Sequence, residues 1–147
     1  MSGSAGSPLM SDGPGAGPDR VDDGAAEQPT VRILADLHEI VDDSRIPAGA
    51  RWTLAEAGRQ LDANLVHLPA GQRVATHTEP DLDVMLVVVA GSGAVGAPDD
   101  PQFVANGNLV WLPRGSTRTV TAGENGLSYL TVHRRRPGLQ IKARSGP

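Results

Sequence analysis

Between Gly71 and Gly91 the chain reads GQRVATHTEPDLDVMLVVVAG, which places the imidazole of His77 just before the carboxylates of Glu79 and Asp83. Imidazole and carboxylate together suit several divalent metals. An imidazole beside a carboxylate also titrates near neutrality, where it can act as acid or base. A third kind of chemistry comes from Arg118, which follows the turn LPRGS at 112–116. Its guanidinium stays protonated, so it repels a metal ion and attracts an anion. Catalytic metal sites normally hold three protein ligands around an open position.

The elements that must hold these groups are short. After Pro47 the chain runs through RWTLAEAG, RQLDANLVHLPAG, DVMLVVVAGSG, PQFVANGN, LVWLPRG, RTVTAGENG and LSYLTVH, apolar segments divided by Gly, Pro, Asn and Asp. Such spacing predicts an all-β sandwich or barrel. Within 64–68 the residues Asn64, Val66 and Leu68 alternate with Leu65 and His67, so one face points inward and takes Asn64 with it. Val84 to Val89 is apolar on both faces, which predicts a strand pressed between the interior and a second layer or another subunit. That strand is the reason to expect a homo-oligomer, a dimer in the simplest case. Upstream, TVRILADLHEIVDD predicts a short strand running into a helical turn against the main body.

With 147 residues the chain has room for one domain. Residues 1–29 are rich in Gly, Ser, Ala, Pro and Asp and are expected to be a disordered tail, residues 30–137 the β-domain, and 138–147 a basic C-terminal tail. The net charge of -4 resides in residues 1–30, and the remainder is neutral. A neutral body with 3% aromatic residues offers little to nucleic acid. The longest apolar run, Val84–Ala90, is too short to span a membrane. The absence of cysteine and of a leader pattern favours a cytoplasmic location. The arginines at 134–136 either blunt a strand edge against aggregation or meet an anionic partner.

Two glycine and proline frames resemble the motifs of the cupin family. Gly71, five residues, His77 and Glu79 reproduce the opening of the first, with glutamate where the family has its second histidine. Gly107, five residues, Pro113, Gly115, two residues and Arg118 keep the spacing of the second, with arginine for histidine and Ala122 for asparagine. The resemblance covers about residues 50–135. It implies a cupin-like barrel, that is, a double-stranded β-helix or jelly roll, with a short N-terminal helical turn. The family's acid position falls on Asp83 when counted forward from Glu79. Counted back from Gly91, which opens the turn GSG, it falls on Val84, and the second count is preferred. Val84, Leu86 and Val88 then face the pocket while Asp83 sits at the rim or faces away.

Of the four positions where metal-binding cupins supply ligands, only His77 keeps its residue type. The resemblance therefore implies a pocket without a metal cofactor, His77, Glu79 and Asp83 being the ligand set if one is bound. Glu79 and Arg118 would be inward neighbours able to form a charge-assisted pair. That pair either satisfies itself or leaves Arg118 and His77 to meet a polar group of a small molecule, against an apolar wall that includes Val84, Leu86 and Trp111. Metal-free acid–base chemistry at His77 is a further option. Three functions follow: a small-ligand-binding or regulatory module, a metal-dependent oxygenase or isomerase with altered ligands, and a structural or dimerising domain. His133 could point inward, whereas His67 is expected on an outer or interface surface.

Overall fold

The computed structural model describes residues 28–136. The expectations for 1–27 and 137–147 lie outside the described residues. The chain divides into two units, one ending at Leu34 and one beginning at Ala35. In the first, residues 28–34 form no strand, and Val31 and Ile33 are exposed. The strand expected from TVRIL is thus absent: the segment has no partner strand to take up its backbone groups.

The second unit starts with α1 (Leu37–Asp42), whose first turn is capped by Asp36 accepting from the backbone N–H groups of His38 and Glu39. Its last carbonyls are met by Arg51, which donates to Val41 O and Asp43 O. Arg51 belongs to β1 (Gly49–Thr53), so the helical turn is fastened to the sheet. There follow β2 (Leu61–Leu68), β3 (Arg73–Thr78), β4 (Val84–Ala97), β5 (Asp100–Ala105), β6 (Leu109–Leu112) and β7 (Thr117–Arg134). No helix among the described residues is long and apolar enough to cross a membrane.

Every strand pairing is antiparallel, and the path runs β1-β2-β7-β4-β5 with β3 added to β7 and β6 to β4. The long strands β4 and β7 pair over most of their length but serve two layers. The first half of β4 and the second half of β7 lie with β1, β2 and β6; the other halves lie with β3 and β5. Between the halves the register breaks at Gly91/Gly93. Only glycine is tolerated there, because a Cβ on Gly91 would sit 2.1 Å from Gly126 O and one on Gly93 2.2 Å from Thr121 O.

The two layers meet in one core, in which Leu86, Val88, Leu127 and Tyr129 of the first pack with Val95, Val104, Val120 and Ala122 of the second. Two sequence expectations change as a result. The GSG and GENG turns do not divide strands: β4 and β7 run through them, because their backbones stay paired while bending. Nor is the expected barrel closed. Among the described residues β1 pairs only β2, β5 and β6 pair only β4, and β3 pairs only β7, so no ladder joins the outer strands.

Candidate functional site

Counting along β7 from the bend orders the interior by depth. In the first layer Leu127, Tyr129, Thr131 and His133 alternate inward towards the open end, and in the second Ala122, Val120 and Arg118 do the same. The bend end is filled by aliphatic side chains. The open end is not, and there a cavity of about 280 Å³ remains. Its deeper wall is aliphatic, with Val66, Leu86 and Val120 beside Tyr129. Towards its mouth stand Arg118, His77, Glu79, His133 and Arg136.

Arg118 is 4% exposed. Its Nη1 donates to Ser116 Oγ at 3.0 Å and to Ser116 O at 3.4 Å, and no carboxylate among the described residues pairs with it. Burial lowers its pKa, with the negative charge of Glu79 working in the opposite sense. The one sealed side-chain polar atom lacking a partner among the described residues is Arg51 Nε. The remaining Arg118 nitrogens and the Tyr129 hydroxyl therefore reach open space, and both residues line the cavity. Tyr129 is 5% exposed, and burial pushes its hydroxyl up to about 12.

His77 stands directly across the β3–β7 ladder from Arg118. Its Nδ1 is 3.1 Å from Ala75 O, a contact in which Nδ1 carries the proton and donates. His133 is arranged in the same way, Nδ1 lying 2.8 Å from Arg134 O. Asn64 lines the cavity with its carbonyl oxygen already taken by the Thr53 hydroxyl at 3.0 Å. Its amide N–H groups are thereby left over.

Glu79 does not pair with Arg118 as the spacing suggested. Its Oε1 takes Arg136 Nη2 at 2.5 Å, and its Oε2 accepts from the Asp81 backbone N–H at 2.9 Å. The Arg136 hydrogen bond, followed by that from Asp81, lowers the carboxyl to about 2. Arg136 has no motif position that could have announced it. Thr131, by contrast, could have been added by carrying the parity of Tyr129 along β7, and His133, which the sequence allowed to point inward, lines the cavity with it.

Of the other site residues, Val84 and Leu86 line the cavity, and Val88 is buried deeper in the core. Asp83 does not: it faces away to Arg114, accepting from the backbone N–H at 2.9 Å and from Nη1 at 3.2 Å. Trp111 departs from its expected place on the cavity wall. It pairs with Met85 while Leu112 pairs with Val84, so Trp111 shares the outer face with Met85 and is 58% exposed. His67 is partly buried, its Nδ1 lying 2.8 Å from Ser128 Oγ, and burial lowers its pKa, helped by the charge of Arg51.

The donor set does not fit a divalent metal. No three His, Asp or Glu side chains among the described residues come together as ligands. Asp83 is turned away, and a guanidinium stands beside His77.

No family model and no curated protein matches the chain. Solved structures do. A Bacillus halodurans protein is 19% identical with a TM-score of 0.60, covering 76% of this chain and 86% of its own. A Klebsiella pneumoniae protein with a double-stranded β-helix domain is 17% identical with a TM-score of 0.57, covering 71% and 90%. A cupin protein from Bacteroides fragilis is 17% identical with a TM-score of 0.50, covering 59% and 75%. At such identities the likeness speaks to the fold alone: the chain has a cupin-like fold.

Proposed function

We propose that this domain is a metal-free small-ligand-binding module that takes an organic carboxylate at Arg118. The observation that carries the reading is a guanidinium 4% exposed, without an ion-pair partner among the described residues, on the wall of a cavity whose deeper side is aliphatic. A buried cation without a counter-charge is costly, and a ligand carboxylate would relieve that cost through charge-assisted hydrogen bonds. The apolar body of the ligand would lie deeper, against Val66, Leu86 and Val120, with the hydroxyls of Tyr129 and Thr131 available for one further polar group. Thermal melts of the purified protein with short aliphatic and aromatic carboxylates, and with the matching amides, test this. Carboxylates should raise the melting temperature with concentration and amides should not. Equal shifts from both, or none from either, would count against it.

A dimerisation domain is the second reading, supported by Met85, Leu109 and Trp111, which are exposed on one face of β4 and β6. Sedimentation of the protein and of Trp111→Glu tests it: a dimer should dissociate in the variant. A monomeric wild-type protein would end this reading.

A further inference from the structure

Among the described residues four strands have a neighbour on one side only: β1, β3, β5 and β6. Such an edge can pair with any strand that fits, unless something blunts it. Three of the four are blunted. β1 breaks register between Ala50 and Trp52 and β3 between Val74 and His77, and a break of this kind bends the strand away from a new partner. β5 carries Asp100 and Pro101, an acid followed by a residue with no N–H to donate. β6 has none of these devices. It reads LVWL and keeps unbroken register with β4 from Leu109 to Leu112. Its outer face is apolar as well, Leu109 and Trp111 being exposed beside Met85.

Residues 30–34, TVRIL, fit this edge. They lie in neither helix nor strand, and their β-branched side chains face solvent, Val31 being 100% and Ile33 92% exposed. In an extended chain these two stand on one face two positions apart, which is also the spacing of Leu109 and Trp111. We infer that residues 30–34 of one copy add as a strand to β6 of a second copy, with Val31 and Ile33 beside Leu109 and Trp111, and that the exchange is reciprocal. The inference rests on the reading of this domain as a dimer and names the segment that makes the contact. Main-chain hydrogen bonds along the β6 edge would hold the added strand. β-Branched side chains beside an aromatic one are favourable cross-strand neighbours. Two-fold symmetry repeats the contact, so each copy gives one strand and receives one.

Sedimentation at a single protein concentration compares the wild type, Val31→Glu/Ile33→Glu, Trp111→Glu and an equimolar mixture of the two variants. Val31 and Ile33 are exposed, so their variant should keep its fold, and circular dichroism checks this. The wild type should be a dimer and each variant alone a monomer. The mixture should form heterodimers, because the first variant still offers β6 and the second still offers residues 30–34. A dimer that survives in either variant, or two monomeric variants that stay monomeric when mixed, would overturn the exchange at β6 while leaving a dimer of the wild type standing. A monomeric wild type would overturn both.

Discussion

Glu79 and Arg136 are joined by an ion pair of 2.5 Å that ties the loop after β3 to the residues after β7 across the mouth of the cavity. The contact holds Glu79 at about 2, against an ordinary value of 4.5. A carboxyl depressed in the folded state contributes stability that is present above its unfolded value and lost as pH falls towards the folded one. The melting temperature of the wild-type protein should therefore fall between about pH 4.5 and pH 2 more steeply than that of Glu79→Gln. Circular dichroism melts across that range check it, and parallel curves would show that the pair does not persist in solution.

Arg118→Met should separate function from stability. The variant removes a buried charge that has no ion-pair partner among the described residues and only the more distant carboxylate of Glu79 to offset it. Its stability should rise by about 1–3 kcal/mol in urea titrations, while carboxylates lose their effect on the melting temperature. A loss of stability instead would mean that the guanidinium is held by the protein itself.

At alkaline pH the relevant group is Tyr129, raised by burial to about 12. An acid whose folded value is raised contributes stability that is full below its unfolded value, about 10, and is lost as pH rises through the folded one. Tyr129→Phe should show a shallower decline in melting temperature between these limits. Ultraviolet titration should place the wild-type phenolate transition above that of a free tyrosine. Ordinary titration near pH 10 would indicate an open, hydrated cavity.

The bend between the two layers yields a structural prediction. Gly91→Ala introduces a Cβ 2.1 Å from Gly126 O at a position whose φ is +78°. The neighbour is backbone and cannot swing aside, so the cost should be about 2–4 kcal/mol or more. Gly107→Ala, at φ +94° with nothing within 4 Å, serves as the control. It should lose only about 1–2 kcal/mol for backbone conformation. Similar urea midpoints for the two variants would contradict the close approach.

Some of this arrangement is legible in the sequence. The glycine and proline spacing that put Arg118 beside His77 reflects turns that such residues favour, and strand parity, once the register was counted back from Gly91, turned Val84 and Leu86 inward and left Asp83 at the rim or facing away. The same parity, applied from Val84 to its cross-strand neighbours, would have sent Trp111 outward, but this required the β4–β6 register, which the sequence does not state. Arg136 illustrates another limit: its contact with Glu79 spans 57 residues and follows from where β7 ends, not from any local pattern. The strand expected near Val31 failed for the complementary reason. Apolar alternation marks what could pair but cannot supply the partner.

Whether Arg118 binds a carboxylate decides what this domain does. Titrating hexanoate into the wild-type protein and into Arg118→Met by isothermal calorimetry tests that most directly. A saturable single-site isotherm on the wild type that disappears in a folded variant is the predicted result. Undiminished binding in the variant, or no binding by the wild type, would contradict it.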